Sequence, residues 1–119
     1  METKIVIKQT LLHKVTSERE IAEKYYSLLS VVNNLGLAKS EIQLVAFTAI
    51  KGNITYANVR KEFCTTYNTT SATINNIVSK LKKKKIFLKK GKIIYVNPII
   101  TIDFKKDLHL EINFQHETK

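Results

Sequence analysis

The chain has little of what marks many other protein classes. A single cysteine, Cys64, cannot form an internal disulfide, so nothing in the sequence calls for an oxidising compartment. Its place late in a predicted helix gives it the ordinary reading of a small buried apolar residue. Only three glycines are present, which leaves no glycine-rich phosphate loop. The histidines, His13, His109 and His116, are scattered and stand in no metal-like spacing with Cys64. No carboxylate pair is placed together by periodicity. The opening METKIVIKQTLLHK has only short apolar runs broken by lysine and glutamine, unlike a signal h-region or a spanning helix. These absences lead to the expectation of a non-enzyme with no cofactor and no metal. It should stay soluble in the cell interior, cytoplasmic and away from membranes.

Acidic residues are scarce as well. Ten face twenty basic ones, and the resulting +10 points to a polyanionic partner rather than to any fold. The excess is concentrated: residues 63–102 hold eight lysines and no acid. A lysine-rich stretch is often only a solvated surface. Here it coincides with a docking pattern.

At 119 residues with 44% apolar content the chain suits one domain with a real core. Three parts are expected within it: an N-terminal strand and helix over 1–36, a helical core with a hairpin over 37–98, and a C-terminal extension over 99–119. Lys4–Leu12 is β-branched and partly alternating, as in a strand. Ser17 and Glu20 form a capping-box pattern opening a helix from Glu18 to Leu35, with Ile21, Tyr25, Leu28, Val32 and Leu35 on one stripe and Gly36 as the stop. That stripe either packs on its own domain or serves a homodimer. A second helix is expected from the N-cap Ser40 to Gly52; it is apolar almost all round and therefore central. Asn53–Thr55 is a short connection or minimal strand, and Thr55 can cap a third helix through Thr65 with Val59 and Phe63 inward.

A fourth helix begins near Thr70 and places Ile74, Ile77, Val78 and Leu81 on one face. Its other face carries Ser71, Thr73, Asn75, Asn76, Ser79, Lys80 and Lys83. Two short strands follow, Ile86–Lys89 and Lys92–Val96, around a turn at Lys90-Gly91, and Pro98 closes the hairpin. The tail Leu108–Phe114 alternates Leu108, Leu110, Ile112 and Phe114 with polar residues, as a half-buried strand would, and suits pairing with the N-terminal strand or with another chain.

The order helix, helix, recognition helix, two-stranded wing over residues 40–97 resembles the winged helix-turn-helix family, particularly MarR-like regulators. LAKSEIQLVAFTAI followed by Thr55, the pair TYANVRKEF and SATINNIVSKL, and the junction LKKKKIF carry the resemblance, which covers about half the chain. The family often has glycine where Lys85 stands. A weaker resemblance, through Tyr95 to Pro98 (YVNP), is to initiators of Gram-positive plasmid replication. The fold implied is α+β: a three-helix core plus a β-hairpin wing, with an extra strand and helix before it and a strand after it.

The resemblance implies binding of double-stranded DNA, with the fourth helix in the major groove, as a transcriptional regulator or a plasmid or phage replication protein. Asn75 and Asn76 would pair bidentately with adenine, while Thr69, Ser71, Thr73 and Ser79 reach bases or phosphates. Lys80, Lys82, Lys83 and Lys84 would meet the groove wall, and Lys89, Lys90 and Lys92 on the wing the adjacent backbone. Neither arginine lies in this expected face, which removes the commonest guanine-reading contact. The competing reading is a winged helix acting as a structural or adaptor subunit in a larger assembly such as a phage particle, since fold alone does not settle function.

Overall fold

The computed structural model describes residues 5–7 and 17–117. Over these the chain forms helices α1 (Glu18–Val32), α2 (Lys39–Lys51), α3 (Ala57–Tyr67) and α4 (Ser71–Lys83). The antiparallel hairpin β1 (Phe87–Lys90) and β2 (Ile93–Val96) follows, then a 3-10 turn at Pro98–Ile100. This α+β arrangement is consistent with a winged helix.

α2 lies at the centre. Its five consecutive residues Leu44, Val45, Ala46, Phe47 and Thr48 are all buried, which only a helix contacted from several sides can achieve. α1, α3, α4 and β2 each pack on it. Phe63 of α3 stacks edge-on to Phe47 at 5.2 Å between ring centres. Ile74, Ile77, Val78 and Leu81 of α4 close the core with Ile54, Ile86, Phe87 and Val96.

α1 begins as expected, the Ser17 hydroxyl accepting from the Glu20 N–H. It ends earlier, at Val32 rather than Leu35. Asn34 takes the left-handed conformation (φ 55°), so that Leu35 N–H reaches the Ser30 carbonyl and Asn34 N–H the Val31 carbonyl. The buried row also differs from the expected stripe. Ala22, Tyr26 and Ser30 face inward, while Leu28 and Val32 are about half exposed. The choice of Tyr26 has a physical reason: its ring joins Tyr25 and the buried Phe104, and its hydroxyl donates to the Ile100 carbonyl at 2.7 Å. Burial, and then the neighbouring Tyr25, push the Tyr26 phenol above its ordinary pKa.

Two expected caps are replaced. α2 starts at Lys39, and in place of Ser40 the Glu41 carboxylate reaches back to accept the Ala38 N–H at 2.8 Å. At α3 the Asn53 side chain accepts from Thr55 and Tyr56 N–H. Thr55 instead turns its hydroxyl to the Ile94 N–H, and the Ile54 N–H donates to the Ile94 carbonyl. The short connection 53–55 is thereby bonded along the outer edge of β2.

The C-terminal strand expected at Leu108–Phe114 is not formed. Residues 107–117 belong to no regular element, and Leu108, Leu110, Ile112 and Phe114 are exposed. Alternation specifies which side chains would share a face, but a strand is held by ladder bonds to a neighbour, and no such neighbour exists among the described residues. Residues 5–7 of the expected N-terminal strand are likewise outside any strand, with Ile5, Val6 and Ile7 exposed. The rest of Lys4–Leu12 lies outside the described residues.

Candidate nucleic-acid interface

α3 and α4 are joined by three residues, Asn68, Thr69 and Thr70. Asn68 holds the left-handed conformation (φ 51°, ψ 57°) that a turn this tight requires and that glycine often supplies. Thr69, half-buried in this turn, donates its N–H to the Cys64 carbonyl. The Thr70 hydroxyl then caps α4 by accepting from the Thr73 N–H. Thr73 is drawn into the same cap, its hydroxyl 3.2 Å from that of Thr70.

At 3.6 residues per turn, the row opposite the buried Ile74, Ile77, Val78 and Leu81 is Ala72, Asn76, Ser79 and Lys83. All four are exposed. Ala72 is an addition to the expected face; its small side chain lets a partner approach the first turn closely. Ser71, Asn75 and Lys82 lie along one flank, Thr73, Lys80 and Lys84 along the other.

The two flanks differ in their bonding. Lys80 places its ammonium 2.8 Å from Glu41, a carboxylate only 5% exposed, and so links α4 to the start of α2. Burial alone would raise the Glu41 pKa. The Lys80 bond, the Ala38 N–H and the charges of Lys80 and Lys84 outweigh it and hold Glu41 below its usual range. Lys84 donates to the Leu35 carbonyl at 2.7 Å. Both lysines are therefore occupied by the domain itself. On the opposite flank, Arg60 of α3 donates through Nη1 to Asn75 Oδ1 at 2.6 Å and through Nε to the Ile54 carbonyl at 3.0 Å. Linear distance concealed this arginine: it stands fifteen residues before Asn75, and only the α3–α4 turn brings the two together.

α4 ends without the glycine that the resemblance would place at residue 85. Lys85 itself adopts φ 62°, its N–H donating to the Lys82 carbonyl and that of Ile86 to the Leu81 carbonyl. The helix stops as sharply as with glycine, at a steric cost of about 1 kcal/mol. Asn97 of the YVNP segment holds the base of the hairpin, donating from its side chain to the Lys85 carbonyl and from its backbone to that of Ile86.

In the hairpin Lys90 pairs with Ile93, so the two loop residues are Gly91 and Lys92, one position later than expected. Gly91 has φ 62°, the sign required at the first position of a type II′ turn. Lys89, Lys90 and Lys92 are all exposed at or beside the tip. Together with Lys82, Lys83 and Lys85 they form ion pairs with no carboxylate among the described residues.

Comparison with protein-family models, curated proteins and solved structures found no match. Among the described residues no three His, Cys, Asp or Glu side chains are grouped to hold a metal ion, and no helix is long and apolar enough to cross a membrane.

Proposed function

We propose that the chain is a winged helix-turn-helix protein that binds double-stranded DNA, with α4 in the major groove and the β1–β2 hairpin as a wing on the adjacent backbone. The carrying observation is the row Ala72, Asn76, Ser79 and Lys83, small, polar or cationic throughout, followed along the chain by lysines free of carboxylate partners as far as the hairpin tip. An α-helix of this kind matches the width and the donor–acceptor pattern of the major groove. The three-residue α3–α4 turn and the Thr70 cap support the same reading, because a short turn leading into a capped second helix is the helix-turn-helix arrangement.

Phosphate neutralisation makes binding salt-dependent. If five of the six lysines 82, 83, 85, 89, 90 and 92 meet phosphates, log K against log salt falls with a slope of about −4 to −5. Changing Lys89, Lys90 and Lys92 together to alanine should reduce that slope by about one unit for each phosphate no longer neutralised and weaken binding to all sequences alike. Fluorescence anisotropy over a salt series reads both. A flat slope for the parent protein refutes the proposal.

A second reading, a subunit of a larger assembly, is favoured by the apolar residues left exposed on α1 and along 108–114. It predicts a hetero-complex or ring that survives high salt; a monomer under all conditions counts against it.

A further inference from the structure

The contact between Arg60 and Asn75 carries a consequence for which base the helix reads, one that rests on the DNA-binding proposal. An asparagine amide is an acceptor at one end and a donor at the other, and adenine recognition in the major groove uses both ends at once. A guanidinium only donates. Asn75 must therefore turn Oδ1 towards Arg60, 2.6 Å away, which leaves Nδ2 with its two hydrogens as the end directed elsewhere. Arg60 cannot easily release the amide, because its own Nε is bound to the Ile54 carbonyl at 3.0 Å and the side chain is half-buried. The guanidinium still has unused hydrogens beside Asn75.

We infer that Arg60 and Asn75 act as one unit that turns donors outward, Asn75 Nδ2 and the free guanidinium hydrogens, while Oδ1 is directed at Arg60, and that its target is the acceptor edge of guanine, O6 and N7, rather than adenine. Adenine would bring its N6 amino donor against further donors. Guanine offers two acceptors and no donor on that edge. Asn76 differs: no hydrogen bond to its side chain occurs among the described residues, so its amide keeps both ends and can still take adenine. Two adjacent asparagines of identical chemistry are thus given different base preferences by one neighbour on another helix. Arg60 is a positioning residue for Asn75 and supplies part of the donor set.

The test is selection of bound fragments from a random duplex pool with the full-length chain, comparing the parent with Arg60→Met and Asn75→Asp. Arg60→Met retains most of the aliphatic stem and frees Oδ1. It should change one position of the enriched site from guanine to adenine, with relative affinity for the two bases moving by roughly 5- to 100-fold. Asn75→Asp keeps an acceptor for Arg60 but has no amide donor, so it should lose the guanine preference at that position while binding random DNA at least within a few-fold of the parent. Thermal melts confirm that each variant is folded; should Arg60→Met fail to fold, Arg60→Gln, whose amide can donate or accept and so no longer forces Oδ1 towards residue 60, should weaken the guanine preference in the same way. A parent site lacking guanine, or variants that enrich the parent's site unchanged, overturns the inference while leaving DNA binding intact. Absence of salt-dependent binding by the parent instead overturns the reading on which the inference rests.

Discussion

Lys80 sits on the expected contact face of α4, yet its ammonium is bound to Glu41, and replacing it should affect stability more than DNA binding. Lys80→Met removes the charge and preserves an unbranched stem of similar length. Glu41 keeps the Ala38 N–H but loses its charged donor while remaining 5% exposed. A hydrogen bond to a charged group contributes about 1.5 to 3 kcal/mol, and a fully buried pair more. The Lys80 side chain is itself 54% exposed, so water can replace part of the ammonium, and the low end, about 1.5 to 2 kcal/mol near neutral pH, is expected. The pH dependence identifies the cause. In the parent the Glu41 pKa is depressed, so its contribution is fully present above the unfolded value of about 4.3 and is lost as pH falls through the folded value. In the variant burial is less opposed and the pKa moves up. The stability gap should therefore be widest near neutrality and close at low pH, where the carboxylate is protonated in both proteins. Urea unfolding across a pH series measures this directly. A gap that is absent, or equal at both ends of the series, would refute the anchoring role; a loss of DNA affinity as large as that of the hairpin triple variant would place Lys80 at the interface instead.

Lys85→Gly removes the side chain from a left-handed position and should stabilise the domain by up to about 0.5 kcal/mol in urea melts, the steric gain slightly exceeding the added unfolded-state entropy; destabilisation would show that the Lys85 side chain packs usefully. Leu28→Lys should leave the fold intact, because Leu28 is 45% exposed, and should yield a monomer if the parent dimerises through α1; unfolding of this variant would contradict the burial pattern.

The four helices and the hairpin were legible because each has a local cause. Capping by Ser17 and Thr70, the apolar row of α4 and the positive φ of Gly91 act within a few residues, and periodicity reports them. The α4 core row Ile74, Ile77, Val78 and Leu81 is the same in sequence and structure. The sequence is ambiguous where several residues can do one job. Tyr25 and Tyr26 are both aromatic, and the Ile100 carbonyl and Phe104, some seventy residues away, select Tyr26 as the buried one. Glu41 could cap α2 as well as Ser40 could, and its bond to Lys80 favours the carboxylate.

The sequence by itself determined the number and order of the central elements, the acid-free lysine-rich stretch and the polar face of α4, since each follows from composition or from a period no longer than one helix turn. Tertiary structure alone decided which polar groups on that face remain available. The reason is that a hydrogen bond or an ion pair consumes a partner wherever in the chain it comes from. Packing α2 beside α4 gives Lys80 the Glu41 carboxylate, the connection between α1 and α2 gives Lys84 the Leu35 carbonyl, and packing α3 beside α4 gives Asn75 a guanidinium. Where no second element supplies a ladder, as at Leu108–Phe114, a clear alternating pattern remains without a strand.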